Sequence, residues 1–179
     1  RSERDLLTRW AVLFHDLGKP DCRVEDDKGI HHFYKHPIRS KELAEQIMNR
    51  LKFDNTSKEI ISKLVEYHDY DLVPKKSAIK RFINKGIDFK RWCYLRKADM
   101  AAHNPDTQGD NAKKLILCED LFADMVNKVE PFSLKDLKIN GEDLIRTFGL
   151  KPSKQVGEVL NYLLEAVIDK PILNKKDTL

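Results

Sequence analysis

Along most of the chain, hydrophobic residues recur at intervals of three and four, which is the spacing of one face of an α-helix. Between these stretches lie polar segments with Gly or Pro, which typically end helices. The polar segment 21–35 is predicted to be a loop. The pattern predicts helices over 3–15, from 36 to about 51, from 56 to about 68, over 77–84, 88–103, from 109 to about 129, a short pair over 133–149, and a last helix from 153.

Some of these helices carry packing and capping signals. In the second helix, Leu43, Ile47 and Leu51 form the predicted core-facing stripe. In the third, Thr56 and Glu59 have the spacing of a capping box. Asn140 and Ser153 are the predicted N-caps of the last two helices.

Composition supports an all-α fold and narrows the class of protein. Hydrophobic residues make up 41% of the 179 residues and charged residues 35%, with only 7 Gly and 7 Pro, which favours long helices over many short strands. The net charge of +4 permits contact with nucleic acid without requiring it. No run approaches 18 apolar residues, so we expect no membrane span.

Two further features concern location and domain organisation. Cys22, Cys93 and Cys118 are far apart and form no CxxC pair, which indicates neither a disulfide framework nor a thiolate zinc site and favours a reducing cytoplasm. The chain begins at Arg1 without an initiator Met, which indicates a fragment or a processed product. The character of the helices changes after Pro131, so we expect a domain over 1–130 and a small helical subdomain over 131–179.

The chemistry of the chain lies in a scattered set of His and Asp residues. His15 and Asp16 end the first helix, and the pair alone is weak support for a site. His36, His68 and Asp99 each fall on the apolar side of a different predicted helix. A single core-facing His is common, but an unpaired buried carboxylate is costly.

A bound divalent cation would explain why separate helices deliver ligand-type groups to one interior. Imidazole and carboxylate ligands without thiolate suit Mg, Mn, Fe, Co, Ni or Zn in an open site better than a structural zinc. The sequence therefore predicts a metal-ion cofactor, without fixing which metal.

These residues stand in segments that resemble a known family. Residues 11–20, AVLFHDLGKP, resemble the signature of the HD superfamily of metal phosphohydrolases. The following segments resemble bacterial CCA-adding tRNA nucleotidyltransferases and related poly(A) polymerases, and the resemblance covers nearly the whole chain. They are 32–36 (HFYKH), 66–69 (EYHD), 97–103 (KADMAAH), 137–145 (LKINGEDLI), 149–152 (GLKP), 156–157 (VG) and 163–167 (LLEAV).

The resemblance implies an HD-type helical domain followed by a small helical C-terminal subdomain. It implies that His15, Asp16 and Asp99 bind one metal, whose water attacks a phosphoester. His36 and His68 would lie near a second metal or a bound phosphate.

Two more residues are catalytic candidates. Lys19 could neutralise a phosphate oxygen, and its alternative is a solvated helix-end lysine. Asp69 could orient His68 or accept a proton, and its alternative is a surface carboxylate.

The chain departs from the HD pattern in one respect. Residues 1–14 contain no His, where the pattern has a first His upstream of the His-Asp pair. His31, His32 or His103 could take its place only if loops brought them in.

Basic residues near two predicted helices are candidate tRNA-binding groups. Lys80 and Arg81 lie beside Phe82, and Lys90 and Arg91 beside Trp92, a mixture typical of phosphate-binding surfaces. Ordinary solvated helix faces would give the same pattern. Lys151, Lys154, Lys175 and Lys176 form a second, weaker candidate patch.

Three functions remain open. The chain could be the C-terminal HD region of a CCA-adding enzyme, with tRNA as partner. It could be a stand-alone HD phosphohydrolase that acts on nucleotides or cyclic phosphates, or a structural domain with a vestigial site. Since the chain has no Gly-Ser and no Asp-x-Asp after a strand, we expect that by itself it adds no nucleotides.

Overall fold

The computed structural model describes residues 5–102, 109–128, 130 and 133–178. Within them it confirms the all-α fold. The helices are α1 (Leu6–Phe14), α2 (His36–Arg50), α3 (Asn55–Glu66), α4 (Lys76–Asn84), α5 (Phe89–Ala102), α6 (Gly109–Asn127), α7 (Gly141–Phe148) and α8 (Lys154–Asp169). His103 and Pro131, which the sequence analysis singled out, lie outside the described residues. None of the described helices is long and apolar enough to cross a membrane.

The segment predicted as a loop contains a small antiparallel hairpin. Strand β1 (Arg23–Glu25) pairs with β2 (His31–Phe33), with Val24 opposite His32. Asp26 holds the turn, since its carboxylate accepts hydrogen bonds from the backbone N–H groups of Lys28 and Ile30. Strands this short leave little periodic signal in the sequence.

The described chain divides into two compact units. The first comprises Arg1–Leu72 and Lys85–Ile116, and the second Val73–Asn84 and Leu117–Leu179. Thus α4 and the second part of α6 belong to the same unit as α7 and α8, although they precede the predicted boundary at Pro131. The predicted domains 1–130 and 131–179 therefore have a different boundary from these two units.

The buried face of α2 differs from the predicted stripe. Its buried residues are His36, Ser40, Ala44 and Met48, at intervals of four, whereas Leu51 is 50% exposed. Leu43 and Ile47 of the predicted stripe are half-buried, so the prediction was wrong only for Leu51. The small side chain of Ser40 allows the chain after α1 to approach the helix backbone closely.

That close approach centres on Gly18. Its N–H donates a hydrogen bond of 2.9 Å to the hydroxyl of Ser40, which is completely buried. A Cβ at Gly18 would lie 2.6 Å from the Ser40 nitrogen and 2.7 Å from the His36 oxygen. The contact therefore fixes the His15–Asp16 turn against the first turn of α2.

Carboxylates cap the first and third helices. Asp5 accepts a hydrogen bond from the Thr8 N–H at the start of α1, and Asp54 accepts one from the Ser57 N–H at the start of α3. The capping box predicted at Thr56 was therefore two residues late, because Asp54 is the N-cap. Asp5 also pairs with Arg91 of α5, whose Nε lies 2.8 Å away.

The second unit contains two small apolar clusters, one that joins Leu137 to α8 and one that joins α7 to α8. Leu137, Leu164, Val167 and Ile168 form one, and Ile139, Leu144 and Val156 the other. Asn140 caps α7 as predicted, within a capping box completed by Asp143. Ser153 occupies the N-cap position of α8, but its side chain makes no capping hydrogen bond.

The Asp5–Arg91 pair predicts a pH-dependent contribution to stability. The hydrogen bond from Arg91 lowers the pKa of Asp5 from 3.8 to about 2. Because the folded pKa is depressed, the contribution is complete well above pH 4 and is lost as the pH falls through about 2. We expect Asp5→Asn to lower the unfolding free energy by about 1–2 kcal/mol at neutral pH, and the difference from wild type to shrink below pH 4.

The matched control is Asp54→Asn, because Asp54 caps α3 through Ser57 but has no arginine partner among the described ion pairs. Chemical denaturation from pH 2 to 7 measures both variants. Equal losses at every pH would contradict a contribution from Arg91.

The packing at Gly18 predicts a large effect of one added methyl group. Gly18→Ala should destabilise the chain by about 2–3 kcal/mol, because rigid backbone atoms of α2 leave no room for it. Gly157→Ala is the control: its Cβ meets nothing within 4 Å, and alanine should stabilise α8 by about 0.5–1 kcal/mol. Thermal denaturation distinguishes them, and equal effects would contradict the close contact.

Candidate metal centre

The structure brings the His and Asp residues singled out in the sequence together in the first unit. His15 and Asp16 follow α1, His36 opens α2, His68 follows α3, and Asp99 lies in the last part of α5. His36 and His68 are buried, and Asp99 has only 14% of its side chain exposed. Although the residues are far apart in sequence, the ends of four helices place them in one cluster, which we call the His/Asp cluster.

Three imidazoles of the cluster are oriented in the same way. The Nδ1 atoms of His15, His36 and His68 lie 2.7–2.8 Å from the carbonyl oxygen three residues earlier in each case. Because a carbonyl only accepts, each Nδ1 must carry the proton. In the neutral rings this leaves a lone pair on Nε2, which is the atom that faces the cluster.

The carboxylate of Asp16 lies at the centre. Its Oδ2 is 3.2 Å from His15 Nε2, and its Oδ1 is 3.4 Å from His36 Nε2 and 3.7 Å from His68 Nε2. Asp99 joins the cluster on the side of His15, with Oδ1 3.3 Å from Nε2. One carboxylate therefore connects the predicted metal ligands with the two histidines expected to lie apart from them.

Two buried atoms of the cluster lack hydrogen bonds. His15 Nε2 and Asp16 Oδ1 have no hydrogen-bond partner within the described part of the chain, although charged groups lie near both. In addition, His36 Nε2 and His68 Nε2 are 3.1 Å apart. Two lone pairs at that distance repel unless one ring is doubly protonated or a cation lies between them. The cluster is thus short of positive charge at its centre.

The ionisable groups of the cluster shift one another's pKa values. Burial disfavours a charged His15, but the carboxylates of Asp16 and Asp99 outweigh it and raise its pKa to about 10. Burial likewise opposes a charged Asp16, but His15 and Lys19 hold its pKa well below the usual range. Burial lowers the pKa of His68 to about 4, so this ring is neutral near pH 7, the form that binds metals.

The donor atoms fit a divalent cation. Atoms of His15, Asp16 and His68 lie within 4.8 Å of one another. Ligands about 2.0–2.3 Å from a shared ion lie roughly 2.8–3.8 Å apart at neighbouring positions, which matches the separations around Asp16. The fixed Nδ1–H groups also supply the outer hydrogen bonds typical of metal-binding histidines.

The two catalytic candidates lie in different surroundings. Lys19 Nζ is 2.7 Å from Asp16 Oδ2, at the edge of the cluster. Asp69 is 63% exposed and lies 3.6 Å from Arg96. The group that orients the His68 ring is the Val65 carbonyl, so Asp69 is not needed for that task.

Arg96 is a residue of the site that sequence reasoning missed. Its Nη1 lies 3.0 Å from the His68 oxygen and 3.5 Å from Asp99 Oδ2, and only 14% of its side chain is exposed. It therefore joins the end of α3 to the carboxylate in α5. Its position three residues before Asp99 was the available signal, because such residues are neighbours on a helix surface.

The candidate tRNA-binding residues Lys80 and Arg81 belong to the second unit and have acidic partners there. The Lys80 side chain is completely buried, with Nζ 2.8 Å from Glu130. A phosphate cannot reach it in this conformation, so its assignment to an RNA-binding surface is not carried forward. Arg81 is 42% exposed and pairs with Glu165 and Asp169.

The other two candidates, Lys90 and Arg91, belong to the first unit. Arg91 lies between Asp5 and Asp88, at 2.8 and 2.6 Å, with 30% of its side chain exposed. Lys90 is exposed. Of the four basic residues, Lys90 is therefore the most accessible to a phosphate.

Comparison with known proteins identifies the family. Residues 34–179 match the family described as tRNA nucleotidyltransferase domain 2. The chain is 33% identical over 171 residues to an A-adding tRNA nucleotidyltransferase of Deinococcus radiodurans, which covers 93% of this chain and 38% of that protein. It is 28% identical over 177 residues to a CC-adding tRNA nucleotidyltransferase of Thermus thermophilus, covering 98% of this chain and 39% of that protein.

A CCA-adding enzyme of Ligilactobacillus salivarius is 45% identical over 47 residues, which cover 26% of this chain and 12% of that protein. No solved structure matches the chain. The chain spans about two fifths of the length of the first two relatives. The family match covers most of its residues, and the chain therefore belongs to the tRNA nucleotidyltransferase domain 2 family.

Proposed function

We propose that the chain is the C-terminal HD region of a tRNA nucleotidyltransferase that takes part in CCA addition. The family match and the tRNA-directed names of the relatives support this role. The chain would help to hold tRNA, and the transfer of nucleotides would depend on a separate head domain. The absence of the head motifs from this sequence is consistent with that division of labour.

We further propose that the first unit carries a divalent metal centre of the HD type with phosphohydrolase activity. The observation that carries this proposal is the buried pair His15 Nε2 and Asp16 Oδ1, which lack hydrogen-bond partners in the described residues and lie amid other ligand atoms. Unsatisfied buried polar atoms are costly, and a cation would satisfy both.

The residues have distinct tasks in this proposal. His15, Asp16 and Asp99 would hold the ion, with His68 beside them and His36 across the Asp16 carboxylate. The bound ion would lower the pKa of a water molecule and withdraw charge from a phosphoryl oxygen. The backbone carbonyl groups that accept hydrogen bonds from the three Nδ1–H groups would hold the rings in the same orientation before and after the ion binds.

Lys19 would contribute a movable positive charge. Its ammonium now neutralises Asp16 Oδ2 and is 32% exposed. An ion bound to Asp16 would repel that ammonium, which its flexible side chain could then offer to a phosphate oxygen. The metal and the lysine would thus act on the two sides of one phosphoester.

A stand-alone phosphohydrolase that acts on nucleotides or cyclic phosphates is the second candidate. The completeness of the His/Asp cluster favours it, because the ligand atoms converge without a histidine before residue 15. If the parent gene encodes a nucleotidyltransferase head domain upstream of Arg1, that would favour the tRNA enzyme over the stand-alone phosphohydrolase. Both activities can belong to one polypeptide.

The metal proposal predicts a stoichiometric ion. Purified chain, incubated with Mn²⁺ or Ni²⁺ and desalted, should retain about one ion per chain by mass spectrometry. Asp16→Asn should lose it, because the central ligand charge disappears. Metal-loaded wild type should release nitrophenol from bis(p-nitrophenyl) phosphate, with activity in the variant at least about a hundred-fold lower.

The control is Asp27→Asn, which removes the same charge from an exposed residue of the first unit. It should retain the metal and the activity. Wild type that binds no ion, or an Asp16→Asn variant that binds as well as wild type, would contradict the metal proposal. If the chain binds the metal but does not hydrolyse the phosphodiester, the proposed cation site stands and the proposed phosphohydrolase activity is contradicted.

The tRNA proposal predicts salt-dependent binding. Lys90→Gln should weaken binding of a tRNA by a few-fold and reduce the salt dependence by about one phosphate contact. The control is Lys52→Gln, which removes the same charge from the exposed connection after α2. Filter binding from 50 to 200 mM salt measures both. Equal affinities of the two variants for tRNA would contradict the proposal that Lys90 contacts tRNA.

A further inference from the structure

A cleft in the first unit adjoins the His/Asp cluster. It has a volume of about 460 Å³, within the range of small-ligand sites. Its walls come from the segment between β2 and the first turn of α2, and from the end of α3. His36 belongs both to the wall of the cleft and to the cluster, so a ligand in the cleft would lie beside the proposed metal centre.

One wall presents an exposed aromatic ring in a defined orientation. Tyr34 is 66% exposed, yet its ring stacks on that of His32 with centroids 5.3 Å apart and an angle of 10°. The His32 ring is itself held by Asp26, whose Oδ2 lies 2.9 Å from Nε2. The hairpin turn therefore supports the orientation of an aromatic ring that contributes little to the core.

The other wall is aromatic as well. Tyr67 and Tyr70 have ring centroids 6.0 Å apart, and the Lys85 ammonium lies 5.3 and 5.1 Å from them. Lys35 is an exposed cation of the cleft lining itself, whereas Lys85 contacts the two tyrosine rings without lining the cleft. Of the acidic lining groups, Glu66 is paired with Lys41 at 2.7 Å.

We propose that this cleft binds the nucleobase of a nucleotide whose phosphate lies at the His/Asp cluster. The inference rests on the proposed phosphohydrolase function and names the part of the substrate that the metal does not hold. A base presents two flat π faces, which suit stacking on Tyr34, and the phosphate bears the negative charge that Lys35 attracts. Tyr34 is thus a binding residue for the base.

The test compares ligands with and without a base. Isothermal titration of Mn²⁺-loaded chain with adenosine 5′-monophosphate, ribose 5-phosphate and inorganic phosphate should show that the base strengthens binding by about ten-fold or more. Tyr34→Ala should abolish this difference without changing metal content. Tyr34→Phe should retain it, because the ring is kept.

The control is Tyr94→Ala. Tyr94 lies in the same unit, is 41% exposed and has the Lys97 ammonium 5.9 Å from its ring centroid, but it does not line the cleft. Tyr94→Ala should bind all three ligands like wild type. An unchanged preference for the base in Tyr34→Ala, or no preference in wild type, would overturn the proposal.

Two further arms separate this inference from the proposed function. Adenosine, which has no phosphate, should bind wild type more tightly than Tyr34→Ala even if no metal is retained. Equal binding to the two proteins would overturn the proposal that the cleft binds a base. A short oligoribonucleotide ending in adenosine distinguishes the sources of the base. Tighter binding of the oligonucleotide would identify an RNA end as the ligand, and tighter binding of the monophosphate would identify a free nucleotide. Either result supports binding of the base in the cleft if Tyr34→Ala abolishes the tighter binding.

Discussion

The partial burial of the Asp16 carboxylate among three imidazoles is the constraint on which the site depends. A carboxylate removed from water needs compensating positive charge or hydrogen bonds. Lys19 compensates one oxygen, at 2.7 Å, whereas the other faces His36 and His68 and has no hydrogen-bond partner among the described residues. The arrangement is therefore electrostatically incomplete, which is a common property of sites that bind a cation.

Helix ends provide the framework that tolerates this arrangement. The last carbonyl groups of a helix have no intrahelical donor. At the end of α1 the Val12 carbonyl accepts from His15, and at the end of α3 the Val65 carbonyl accepts from His68. Trp92 and Arg96 of α5 donate to the carbonyls of Tyr67 and His68. The same hydrogen bonds thus complete two helices and orient the ligand atoms.

Sequence patterns were sufficient for the helices and for selecting the residues that meet in the His/Asp cluster. A polar group on an apolar helix face, as at His68 and Asp99, is a strong signal because burial of an unpaired charge is costly. The predicted stripe of α2 failed at Leu51, which is 50% exposed, whereas the small Ser40 takes the buried position next to Gly18.

Other features depend on contacts that no local pattern contains. The burial of Lys80 follows from Glu130, fifty positions later in the chain. The stack of Tyr34 on His32 follows from a hairpin whose strands are three residues long. Arg96 joins the site through a carbonyl on another helix. Such contacts between distant residues need the folded structure, and they determine which basic residues can reach a ligand.

Occupancy of the His/Asp cluster by one cation can be measured by anomalous diffraction from crystals soaked in Mn²⁺. We expect a peak about 2.0–2.3 Å from His15 Nε2 and from oxygens of Asp16 and Asp99, with Lys19 displaced from Asp16. A peak only elsewhere on the protein, or a cluster that keeps the Lys19–Asp16 pair and contains no peak, would contradict it.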